Sequence, residues 1–156
     1  MDGHYAPGGA GRLVVLDEHW TCLSALAVQD VLGHAAGMEV CEAYLATKAS
    51  STPDADSRIR PHAGAAGGLA EAVVAGAVLN PDGPHTERAL AYGEWFLRNT
   101  YQAADAPLLP NPRNLIGGFR DTPYRLDVRM DAVQHIGCAL LGVEALLSST
   151  QPGSLP

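Results

Sequence analysis

Apolar residues along this chain recur mainly at intervals of three and four, and two-residue alternation is confined to residues 12–16. Trp20, Leu23, Ala27 and Val31 form one stripe, which predicts a helix over residues 17–32 with Asp17 as its cap, Glu18 at its positive end and Gly33 as its stop. Val40, Cys41, Tyr44 and Leu45 predict a shorter helix over 38–48. Residues 69–79 hold Ala, Val and Leu with few polar groups, so this third helix should be buried on most sides. Asn80, Pro81, Asp82, Gly83 and Pro84 break the pattern, and Thr86 can cap a fourth helix to about residue 101. Val128, Ala132, Ile136, Ala139 and Val143 predict a fifth helix over 127–147, capped by Asp127.

The fold class is therefore all-α, with about five helices. Residues 1–12 read as a loose leader, 13–148 as the helical segment and 149–156 as a loose tail. Residues 49–61 are rich in Ser, Asp and Pro and predict a loop. The four prolines between 103 and 124 predict a long irregular connection, of the length that often carries function. Gly76, Gly93, Gly137 and Gly142 fall inside predicted helices, where each costs up to ~1 kcal/mol relative to Ala. Close helix–helix contact is the simplest compensation.

Charge narrows the partners. The net charge is −7 and the pI about 5.2, with no basic run. Nucleic acid and anionic membranes both need clustered Lys and Arg, so neither is expected. Cys22, Cys41 and Cys138 have neither metal-knuckle nor redox spacing, which predicts three reduced, largely buried thiols. No signal-peptide pattern opens the chain, and no apolar run approaches the ~18 residues of a membrane span. A cytoplasmic location is the expectation.

Residues 116–131 join a Gly117-Gly118-Phe119 loop, Pro123 and Asp127 to a helix containing Ala139-Leu-Leu-Gly142. The Gly64-Ala-Ala-Gly-Gly-Leu-Ala-Glu-Ala72 stretch is a second loop-to-helix passage of this kind. Together they resemble repeats of the (α/α) toroid superfamily, which includes prenyltransferase/squalene-cyclase repeat proteins and six-hairpin carbohydrate-active enzymes. The resemblance implies helical hairpins of a partial toroid, with helix leading ends lining a central hollow. Five helices make less than half a ring, so it also implies a homo-oligomer or the remainder of a longer chain. The Asp-rich cyclase motif and the Asp–Cys–His zinc set of protein prenyltransferases are absent, so no catalytic residue carries over from those families.

Chemistry-bearing residues gather at three places. Asp127, Asp131 and His135 are spaced i, i+4, i+8 on one helix face beside Arg125 and Arg129, and could act as general acid and base. The structural alternative is a capping Asp127, an Asp131–Arg pair and a core histidine. Asp17, Glu18, His19 and Trp20 cluster at a helix start, where an acid could donate and Trp20 could stack on a sugar, or where acids simply suit the helix dipole. Arg58, Arg60 and His62 could hold a carboxylate or phosphate, or be solvated loop charges. Glu71, inside an Ala/Val helix, could be a buried acid. His135 and Cys138, at i and i+3, could seat a metal or simply form a core pair.

The expected function is a toroid-type enzyme acting on a carbohydrate-like substrate by general acid–base chemistry. Asp17, Glu18, Asp127, Asp131 and His135 are its candidate catalytic groups. Trp20, Arg58, Arg60, His62, Arg125 and Arg129 are its candidate substrate-binding groups. No metal and no cofactor are expected. The alternatives are a terpenoid-cyclase or prenyltransferase-like repeat protein, disfavoured by an aromatic content of 6%, and a non-catalytic helical interaction module.

Overall fold

The computed structural model describes residues 19–49, 63–109, 111–120 and 128–149. Among them the regular elements are all helical: α1 Trp20–Ala27, α2 Gln29–Leu32, α3 His34–Thr47, α4 Ala63–Leu79, α5 His85–Arg98, α6 Pro112–Leu115 and α7 Met130–Ser149. A 3-10 turn, Ala103–Leu108, lies between α5 and α6. Extended backbone pairs only in an isolated antiparallel bridge between Thr100 and Phe119. The all-α expectation is met.

The first predicted helix is broken at Val28, whose φ of −108° leaves the helical range, so α1 and α2 form in its place. Gly33 closes α2 at φ +86°, a conformation that a side chain would strain. Its neighbour α3 starts at His34 rather than Met38. The Gly/Ala-rich lead-in to the third predicted helix is itself helical, and α4 extends six residues earlier than its apolar pattern predicts, from 63 in place of 69.

The hub is α4, which packs against α1, α3, α5 and α7. Ala66, Ala70, Ala72, Val73, Ala75, Ala77 and Leu79 bury nearly all of its circumference. Small side chains allow four neighbours to approach one helix. Close contact does compensate glycine: a Cβ at Gly76 would lie 2.6 Å from Leu45 Cδ1, and one at Gly142 would lie 2.5 Å from Val74 Cγ1. Gly137 is the exception, since a Cβ there meets nothing within 4 Å. Tyr92, Trp95 and Phe96 of α5 complete the core, with the Phe119 ring 6.3 Å from Phe96.

Two expectations are corrected. Cys22 of α1 and Cys41 of α3 are joined in a disulfide, and Cys138 is exposed. The spacing of 19 residues signalled nothing because the two helices fold back on each other. The bond removes the reduced thiols as support for a reducing compartment. Second, α7 is long and apolar enough to cross a membrane by length and composition. In the fold its Ala132, Ile136, Ala139 and Val143 face the core, while Met130, Leu141 and Leu147 are exposed.

The described part of the 103–124 connection is pinned rather than loose. Tyr101 N–H donates to Gly118 O at 2.9 Å and Gly117 N–H to Tyr101 O at 2.9 Å. Arg120 reaches Asp105 Oδ2 at 2.5 Å and lies over the Tyr101 ring.

Candidate functional site

Glu71 is the only charged residue in the 17-residue α4. It is 8% exposed, among alanines and valines that offer it no hydrogen bond. Its partners come from outside the helix. His135 of α7 donates from Nδ1 to Glu71 Oε2 at 2.7 Å, and His19 Nε2, from the cap of α1, lies 3.9 Å from the same oxygen. The two imidazoles meet nearly edge-to-face, with centroids 4.9 Å apart at 83°. Trp20 borders both, 4.7 Å from the His19 ring and 6.5 Å from the His135 ring, and is 52% exposed.

Glycine makes this convergence possible. Gly67 and Gly68 lie four and three residues before Glu71, hence on its face of α4. A Cβ at Gly67 would stand 2.8 Å from His135 Cβ and 3.0 Å from Ile136 N, and one at Gly68 would stand 3.1 Å from His19 Cγ. The pair forms a bare floor on which both histidines reach the carboxylate. Cys138, one turn beyond His135, stands beside it. Desolvation, then the Glu71 carboxylate, pushes its thiol above the ordinary range even though the residue as a whole is exposed.

Of the residues singled out from the sequence, His135 and Trp20 are brought together here. Asp131 is not part of the cluster: it is exposed and paired with Arg129 through contacts of 2.6 and 3.1 Å. The Arg129 hydrogen bonds hold its carboxyl below the ordinary range. Asp17, Glu18, Arg58, Arg60, His62, Arg125 and Asp127 lie outside the described residues. His19 and Glu71 were noticed separately in the sequence but not joined. The available signal was a lone acid in an apolar helix, preceded on its own face by two glycines.

A second carboxylate–histidine contact lies where α3 meets the α4–α5 turn. Glu42 Oε1 accepts from Asn80 Nδ2 at 2.9 Å, and Oε2 pairs with His85 Nε2 at 2.8 Å. Burial opposes ionisation of Glu42, but the bonds from Asn80 and His85 and the charges of His85 and Arg88 outweigh it and hold its carboxyl below the ordinary range. His85 is buried, and its Nδ1 has no hydrogen-bond partner among the described residues.

No family model, curated protein or solved structure matches this chain. The Glu71 cluster is thus read on its own chemistry. An ionised carboxylate can orient and charge-stabilise an imidazole, and a second imidazole within reach can exchange a proton with the first or with a bound hydroxyl. One ligand atom from each of His19, Glu71 and His135 lies within 4.8 Å of the others, a separation from which three donors can close on one cation.

Proposed function

We propose that the chain is an (α/α) toroid-type enzyme, or part of one, that acts on a carbohydrate-like substrate by general acid–base chemistry centred on Glu71. The observation that carries this reading is a single, almost buried carboxylate oxygen shared by two imidazoles beside a half-exposed tryptophan. Each element has a task. The carboxylate of Glu71 steadies positive charge on the imidazoles as a proton arrives. One imidazole takes that proton from a water or a sugar hydroxyl, and the other returns it to the departing oxygen. Trp20 offers a flat apolar face to the C–H side of a sugar ring. Asp131, bound to Arg129 at the start of α7, stands outside this centre.

The terpenoid-cyclase alternative needs aromatic rings around a hollow. Tyr92, Trp95 and Phe96 are instead packed into the core. The interaction-module reading draws on the exposed Met130, Leu141 and Leu147 of α7. These residues are compatible with a second copy or further helices lying alongside, and they leave the Glu71 cluster without a purpose.

The test is turnover of a panel of chromogenic glycosides and polyol esters by the purified chain and by Glu71→Gln. Hydrolysis of at least one panel member, lost in Glu71→Gln while helical content is kept, is the expected outcome. Hydrolysis that persists in a folded Glu71→Gln, or no hydrolysis across the panel, contradicts the proposal.

A further inference from the structure

We infer that His19, Glu71 and His135 form a binding site for one divalent transition-metal ion, with zinc the best chemical fit. The inference rests on reading this cluster as the reacting centre; with an ion bound, the imidazoles serve as its ligands and the water held at its open position takes over the proton exchange assigned above to the free imidazoles.

The donor set comes first. Two imidazole nitrogens and one carboxylate oxygen match the ligands of catalytic zinc, which uses three protein donors and leaves a fourth position for water. Calcium and magnesium prefer all-oxygen shells, so imidazoles argue for zinc, cobalt or a neighbouring metal. Charge comes second. An almost buried carboxylate among alanines and valines is costly unless it is paired and hydrogen-bonded, and a cation held between the three donors meets that need.

Distance comes third. Tetrahedral ligands about 2.1 Å from zinc stand about 3.4 Å apart. The separations to Glu71 Oε2 are 2.7 Å for His135 and 3.9 Å for His19, with all three donors within 4.8 Å. The required value lies between them. The shorter contact is a hydrogen bond, whose proton the ion displaces as the carboxylate draws back. The longer one closes as the His19 ring turns. Helix positions support the same reading. The ligands come from α4, from α7 and from the cap of α1: both histidines rest on the glycine floor of α4, and His19 is further anchored through the Cys22–Cys41 bond near the start of α1. Glu42 provides an internal contrast: it meets one imidazole and an amide, and an amide NH₂ group donates hydrogen bonds and offers a metal no lone pair.

The purified full chain, stripped with a chelator, is titrated with Zn²⁺ by calorimetry and with Co²⁺ by visible absorption. One ion per chain and the intense absorption of low-coordinate Co²⁺ are expected. His19→Ala and His135→Ala should each weaken binding by more than about 100-fold, beyond the loss typical of an outer-shell partner, while Glu42→Gln binds as the wild type does. Affinity falls as pH falls, because the imidazoles must shed their protons to ligate. Absence of binding, or binding that survives both histidine substitutions, overturns the site. For any variant that loses helical content, imidazole NMR of the wild type replaces it. Zn²⁺ must shift the His19 and His135 resonances together, and a shift confined to other histidines overturns the site. Binding without turnover sinks the enzymatic reading alone. Turnover by the stripped protein that is lost in Glu71→Gln sinks the metal alone.

Discussion

One carboxylate–histidine cluster is centred on α4 and another lies where α3 meets the turn that follows α4, and they are built differently. At Glu42 each oxygen has one partner, from the α4–α5 turn and the start of α5, and the result ties that turn to α3. At Glu71 one oxygen is hydrogen-bonded to the imidazole of His135 in α7 and faces that of His19, at the cap of α1, 3.9 Å away, on a floor of glycine and beside an exposed indole. A carboxylate whose partners are spread over its two oxygens acts as a clasp. Two basic nitrogens converging on one oxygen form a centre able to exchange protons or gather a cation. Residue type alone does not separate the two; the number of imidazoles and the bareness of the helix beneath them do.

The largest expected effect follows directly. Glu71→Gln should lower turnover by roughly 10²- to 10⁴-fold, whereas Glu42→Gln leaves it unchanged, as measured on whichever glycoside the wild type hydrolyses. Equal losses would erase the distinction between the clusters. Next comes the disulfide. Replacing Cys22 and Cys41 together with Ser should cost about 2–4 kcal/mol, a fall on the order of 10 °C in the thermal midpoint. It should also weaken metal binding, because His19 precedes the tethered α1.

A smaller effect separates glycines that make room from one that does not. Gly67→Ala should destabilise by about 1–3 kcal/mol, since its Cβ would press on His135 and on the Ile136 backbone. Gly137→Ala meets open space and should stabilise by up to ~1 kcal/mol. Chemical denaturation of both variants checks the pair.

The smallest effect concerns pH. The folded carboxyl of Glu42 is held below its ordinary value, so its contribution is present above the unfolded range of about 4.3 and is lost as pH falls through the folded value. The side chain is 37% exposed, which limits the contribution to under about 1 kcal/mol. A small thermal deficit of Glu42→Gln at neutral pH should therefore vanish in acid. A deficit that grows on acidification would reverse the assignment.

The helices were legible because apolar spacing is local. Residues 69–79 read as a helix buried on most sides, and α4 is one, with Val78 exposed. Its start was missed because helix propensity counts Gly64, Gly67 and Gly68 as breakers. Propensity cannot register that His135 and His19 occupy the space a side chain would need. The break at Val28 was missed because a stripe of apolar positions continues through a one-residue turn.

The site was half legible. His135 and Trp20 stood out, but the sequence set His135 beside Asp131 whereas the structure sets it against Glu71, because i, i+4 spacing on one helix is visible in a sequence and contact across 64 residues is not. The same blindness applied to Cys22 and Cys41, whose pairing depends on α1 folding back against α3.

The most direct test is anomalous diffraction at the zinc edge from crystals of the chain grown with Zn²⁺. The expected result is one strong peak bounded by His19, Glu71 and His135, about 2.0–2.2 Å from a donor atom of each. A peak elsewhere, with the His135 Nδ1–Glu71 hydrogen bond intact, would contradict it.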